Sequence, residues 1–173
     1  MARYTPYFCE ENIWQLARER ADEGRRDVYA VFITNRARSV PIWQQRAGNP
    51  VAWDYHVVLL DGGDVVDLDT VIEGGPSLSI EVWLKGSFRR VEESLAPRFR
   101  VVDAAELLRT FASDRSHMRG PDGEPREPFP EWPAIRCSLG DHTLSRYLDL
   151  DDDIAGEWLN LDALSKRFAH ETT

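Results

Sequence analysis

The sequence is poor in the residues that build extracellular scaffolds and metal centres. Its 173 residues include two cysteines, Cys9 and Cys137, and four histidines. Two cysteines do not make a disulfide framework, so both thiols are expected free and the compartment cytoplasmic. Neither they nor the scattered histidines have the close spacing of zinc ligands, and no metal or organic cofactor is expected. Positive charge is also short: 21 lysines and arginines against 30 acids leave a net charge of −9. Nucleic acid, which needs a basic face, is thereby excluded as an electrostatic partner, and an anionic membrane surface is disfavoured. No apolar run approaches the ~20 residues that span a bilayer, and the N-terminus lacks the layout of a signal peptide. No internal repeat and no exposed apolar stripe stands out. With 42 % hydrophobic residues the chain has material for one sizeable core, so residues 1–173 read as a single domain and a monomer.

What is there centres on residues 53–70, WDYHVVLLDGGDVVDLDT. Two apolar runs flank Gly62 and Gly63, a strong hairpin signal. Strict alternation puts Trp53, Tyr55, Val57 and Leu59 on one face of the first strand, and Val58 and Leu60 on the other. A strand apolar on both faces belongs inside a covered sheet. His56 interrupts this strand, and Asp67 and Asp69 follow on its partner. If Leu60 pairs with Val65, His56 falls opposite Asp69 and diagonal to Asp67, on one sheet face. Buried imidazole and carboxylate are costly unless they hydrogen-bond to each other. The spacing therefore predicts a base held by an acid, with Asp67 and Asp69 both eligible.

The nucleophile such a base would serve is Cys9. From Cys9 the pattern is helical, with Ile13, Leu16, Ala17 and Arg20 along one side until Gly24 ends it. Glu10 and Glu11 occupy the first turn, where carboxylates suit the positive end of the helix. A thiol at a helix start is stabilised as thiolate, an effect the two glutamates oppose. The competing reading makes Cys9 a small core residue. Cys137 follows a proline-rich stretch without such context.

Elsewhere, Val28 to Ile33 and Val40 to Gln44 read as strands, giving about four strands in series after the first helix. Leu78 to Leu84 fits helix or strand, and Arg98 to Val102 another strand. Asp103 and Glu106 have capping-box spacing at the head of a helix. Residues 120–133, GPDGEPREPFPEWP, hold five prolines and form a long loop, a rim or a surface wrap. Thr143 to Leu148 is a short helix, and Asn160 caps the last one. Asp149 to Asp153 reads as a solvated acidic segment. His117 could line a site, whereas His142 and His170 read as surface residues.

The residues also resemble a known family, the protein N-terminal glutamine amidohydrolases. Its WDYHV motif stands here as Trp53, Asp54, Tyr55, His56 and Val57. CEENIW (9–14), YAVFI (29–33), PIWQQ (41–45), VVLL (57–60), DLDT (67–70), FRV (99–101), FASDRSHM (111–118) and REP (126–128) match in the family's order. Residues 72–98 depart most. The resemblance implies a transglutaminase/papain-like fold, an α+β α–β–α sandwich with a mainly antiparallel central sheet. It implies a Cys-His-Asp triad that falls on Cys9, His56 and Asp67, the choice of Asp67 over Asp69 coming from the family. It implies hydrolysis of the side-chain amide of N-terminal glutamine to glutamate and ammonia through a thioester, a step that feeds the N-degron pathway in eukaryotes. The partners would be proteins or peptides with a free N-terminal glutamine.

Selectivity for a chain terminus needs an acceptor for the α-ammonium. Asp54, Asp69 and Glu10 are the nearby carboxylates, with Glu11 a further one, and are the tentative substrate-binding set. Trp53 and Tyr55 are expected in the core, and Trp43 either there or in a pocket wall. Thiol peptidases and acyltransferases share this triad chemistry, and a non-catalytic module that binds N-terminal glutamine is the alternative of another class.

Overall fold

The computed structural model describes residues 3–169; His170, expected on the surface, lies outside them. A six-stranded sheet forms the middle of the molecule, in the order β6-β5-β4-β1-β7-β8. Its strands are β1 (Val28–Thr34), β4 (His56–Asp61), β5 (Asp64–Val66), β6 (Ser77–Ser79), β7 (Arg98–Asp103) and β8 (Glu157–Leu159). Every pairing in it is antiparallel. β1 is central because VYAVFIT is apolar on both faces, and it pairs over six residues with β4 on one side and with β7 on the other. β2 (Val40–Ile42) and β3 (Val51–Trp53) form a separate two-stranded ribbon.

Both faces of the sheet are covered by helices. On one face, α1 (Cys9–Asp22), α3 (Ala104–Thr110) and α4 (Leu144–Tyr147) close over Ala30, Phe32, Val57 and Leu59. On the other, α2 (Ile80–Ser87), α5 (Leu161–Phe168) and the ribbon cover Val31, Ile33, Val58 and Leu60. The α+β class with a mainly antiparallel sheet is thus as the sequence reading expected.

The hairpin register is also as expected, with Leu60 opposite Val65 across Gly62 and Gly63. Both glycines have positive φ, 64° and 96°, the conformation a tight two-residue hairpin turn requires. The ladder ends at Val66, however, and residue 67 leaves the strand. His56, paired with Ile33 of β1 on its other side, therefore lies beyond the hairpin ladder and does not face Asp69 across it. Upstream, a bend at Asp54 separates β3 from β4 and breaks the alternation. Trp53 consequently packs with the Val58 and Leu60 cluster, and Tyr55 with Val57 and Leu59.

Several smaller expectations change for visible reasons. Residues 78–84 are both strand end and helix: β6 stops at Ser79, whose hydroxyl caps α2. Asp103 caps α3 through the N–H groups of Ala105 and Glu106. Glu106 does not close a capping box, because its Oε2 accepts from the Gly156 amide. The acidic segment 149–153 is not simply solvated. Its carbonyls at Asp149 and Asp152, with that of Ala155, accept from the buried Arg100 guanidinium at 2.7 Å each. β8 escapes sequence reading because three residues are too few to show periodicity.

Candidate active site

The start of β4 is where the chain gathers its titratable groups. His56 and Asp67 are both fully enclosed, and His56 Nε2 lies 2.9 Å from Asp67 Oδ1. Asp67 reaches the imidazole because it has left the β5 ladder, which frees its side chain to turn back. Three further donors fix it: the Asp69 amide at 3.0 Å on Oδ1, and Gln45 Nε2 at 3.0 Å and Trp83 Nε1 at 3.1 Å on Oδ2. The geometry decides between the two aspartates that spacing left open, since Asp67 and not Asp69 holds the imidazole. Burial alone would raise the Asp67 pKa, but the adjacent imidazole and the donated hydrogen bonds outweigh it and bring the carboxyl from 3.8 down to about 2. Burial likewise works against a charged His56, yet Asp67, with Asp69 and Glu10 behind it, holds its pKa above the ordinary value. Nε2 is spent on Asp67, so Nδ1 is the ring atom left to act.

These shifts carry a stability prediction. A carboxyl whose folded pKa is about 2 and whose unfolded pKa is 3.8 stabilises the fold above the unfolded value and loses that contribution as pH falls from about 4 to 2. The amount is about 2 kcal/mol. His56 acts in the opposite sense: its contribution is complete below its unfolded pKa of about 6.5 and is lost as pH rises through the folded one. Asp67→Asn should remove the acid-side component, read from urea unfolding at a series of pH values. An unchanged slope between pH 4 and 2 would show that Asp67 is not ionised in the fold.

Cys9 is the first residue of α1 and packs beside the α1 face of the core. It lines the same cavity, of about 470 Å³, as His56, Asp54, Asp69, Tyr55 and His117. Burial raises the thiol pKa well above the ordinary value, and Glu10 and Asp69 push it further, with the Val57 amide acting the other way. Cys137 does not enter this cavity; its thiol faces the Thr110 carbonyl at 3.3 Å.

The candidate substrate-binding set divides. Asp54 and Asp69 line the cavity, Asp54 from the exposed bend and Asp69 from the turn after β5. Glu10 stands behind the wall, enclosed, with Oε2 3.7 Å from Cys9 Sγ and Oε1 3.2 Å from His117 Nε2. Glu11 is also enclosed and pairs with Arg115. Trp53, expected in the core, packs against it only in part: its ring also stacks on His56 at 5.7 Å and 14° and forms part of the cavity wall. Tyr55 is in the core and also at the wall, its hydroxyl 3.1 Å from His117 Nε2. His142, expected on the surface, lines the cavity with Nδ1 3.0 Å from Asp114. Trp43 is in neither role; it is half-buried under the Arg89 guanidinium. His56, Asp67 and Asp69 bring ligand-type atoms within 4.8 Å of one another, but Nε2 is already engaged with the Asp67 carboxylate, and both Asp67 oxygens already accept from protein donors.

Comparison with known proteins places the chain among the amide hydrolases. A protein N-terminal glutamine amidohydrolase of Homo sapiens is 36% identical over 180 residues, covering 95% of this chain and 87% of that protein. The Bos taurus protein of the same name is 35% identical over 184 residues, covering 97% and 87%, and that of Drosophila erecta 38% over 162 residues, covering 84% and 77%. The family model described as N-terminal glutamine amidase matches residues 4–168. The chain belongs to the N-terminal glutamine amidase family.

Proposed function

We propose that this chain hydrolyses the side-chain amide of N-terminal glutamine in proteins and peptides, giving N-terminal glutamate and ammonia. The observation that carries the reading is the His56–Asp67 pair set in the wall of the cavity that Cys9 opens onto, in a chain of this family. Cys9 is the nucleophile, His56 the base and Asp67 the acid that fixes the imidazole's tautomer. A transglutaminase-like topology accords with a cysteine at a helix start, the histidine at the start of β4 and the aspartate just past the end of β5.

The thiolate attacks the glutamine side-chain carbonyl carbon. The resulting oxyanion is held by backbone N–H groups at the start of α1, which have no intrahelical partner. His56 then gives its proton to the departing ammonia, and a water that His56 deprotonates hydrolyses the thioester. Asp69 takes the substrate's α-ammonium, because it reaches the cavity beside His56 with its carboxylate only partly engaged, by the Tyr4 hydroxyl at 2.6 Å. Asp54 adds charge nearer the mouth.

The test is ammonia release from matched peptides beginning with Gln, Asn and acetyl-Gln, with mass spectrometry of the products. Release from free N-terminal Gln alone, and a product heavier by the exchange of NH₂ for OH, is the expected result. Peptide fragments would make the protein a peptidase, and transfer to an added amine an acyltransferase. No release by folded protein would leave a binding module.

A further inference from the structure

The carboxylates around Cys9 leave little room for another negative charge. Glu10 follows it on α1 at 1 % exposure, with Oε2 3.7 Å from Sγ and Oε1 3.2 Å from His117 Nε2. Asp69, nine-tenths buried, reaches the cavity from the turn after β5, and Asp54 from the bend before β4. Around the thiol stand also His56, already matched to Asp67, the Tyr55 hydroxyl, and His117, whose Nε2 approaches Glu10 Oε1; Tyr7, Glu127 and His142 line the same cavity. Arg38 and Arg126 contribute to the cavity from exposed positions. A thiolate formed in the empty site would therefore face Glu10, Asp54 and Asp69 with the enclosed His56 imidazolium to offset it, the two guanidiniums lying out in solvent. The substrate of the proposed reaction brings the missing cation.

We propose that the substrate's α-ammonium, seated on Asp69, is what permits the Cys9 thiol to pass its proton to His56 Nδ1, so that the thiolate–imidazolium pair forms in the substrate complex and not in the empty enzyme. This rests on the amidase reading above. The step is a proton transfer: the S–H bond breaks, an N–H bond forms, the ammonium keeps its protons, and no oxidant or reductant is involved. The raised pKa of the empty-site thiol, caused by burial and then by Glu10 and Asp69, accords with it. Asp69 becomes a specificity residue that also positions charge. A chain with a blocked N-terminus would fail at the chemical step as well as at binding.

Alkylation of Cys9 by iodoacetamide, followed at that residue by peptide mass spectrometry, tests this without turnover. Near neutral pH the free protein should react slowly. Excess Gly-Gly-Phe amide, which supplies an α-ammonium and leaves the side-chain pocket open, should speed alkylation at least about tenfold, the equivalent of one pK unit. The acetylated peptide should not. Asp69→Asn should react faster than the parent when empty and show no response to the amine. Equal rates with the free and acetylated peptides, or an unaltered empty-site rate in Asp69→Asn, overturn the proposal. Should that variant not fold, the parent decides: the acid limb of kcat, which reports the substrate complex, should lie at least about one pH unit below that of free-enzyme alkylation, and coincident limbs overturn the proposal. An amine response without ammonia release would keep the charge coupling and remove the amidase reading. Ammonia release without an amine response would do the reverse.

Discussion

Cys9→Ala should release no measurable ammonia from a peptide beginning with glutamine, while unfolding within about 1 kcal/mol of the parent. The expected loss in kcat is about 10⁶-fold, the scale on which removal of a nucleophile acts in serine hydrolases. No second group takes over: Cys137 faces the Thr110 carbonyl and does not line the cavity. Folding should be spared because the helix start does not depend on the sulfur. Among the described residues α1 has no side-chain cap, and the residues that seat it are Ile13, Leu16 and Ala17. Cys9→Ser keeps a hydroxyl in place but is also expected to be inactive, since a hydroxyl is far harder to ionise among the same carboxylates. Ammonia release and thermal unfolding on one preparation check both halves. Residual turnover above about 1 % of the parent would remove Cys9 from the nucleophile's role.

The largest stability effect is expected at Glu11→Ala. Glu11 is enclosed and accepts Arg115 Nε and Nη2 at 2.8 Å each, and the Trp132 indole N–H at 2.7 Å. Arg115 itself sits in the left-handed region at φ 62° and also donates to the Trp132 carbonyl at 2.9 Å. One carboxylate thus joins the first turn of α1 to the His117 segment and to the proline-rich loop. Removing it leaves a guanidinium buried without its counter-charge, which costs about 3–5 kcal/mol. For a chain of this length that is roughly 10 °C in Tm. Glu11→Leu combined with Arg115→Met should recover most of the loss, because an apolar pair does not carry the desolvation cost of an unpaired ion. A loss below about 1 kcal/mol in Glu11→Ala would mean that solvent reaches Arg115 and that the loop is not anchored there.

That ion pair also marks where sequence reading stops. Glu10 and Glu11 look alike from the chain, two acids in a first helical turn, and the helix dipole accounts for both. Their roles differ because of partners more than 100 residues away, Arg115 for one and His117 for the other, and no local pattern encodes such distances. That one of the two aspartates would hold His56 was legible because the hairpin turn brings the end of β5 back toward the start of β4. The choice between Asp67 and Asp69 was not, because it depends on the ladder ending at Val66. Trp53 was misplaced for a related reason: alternation holds only while a strand continues, and the bend at Asp54 reverses the face. Arg100 could not be assigned to a buried position from a charged residue in a strand run; its carbonyl partners come from a segment that reads as solvated acid.

The carboxylate ring bears on how a catalytic cycle would end. Deamidation exchanges an uncharged amide for an acid that ionises at neutral pH, so in the proposed reaction the new side chain would form between Asp54 and Asp69, with Glu10 behind Cys9. Like charges in a partly enclosed space repel strongly. The same residues that welcome the amino terminus would thus repel what the reaction makes of it, which favours rapid departure of product and weakens its return to the site.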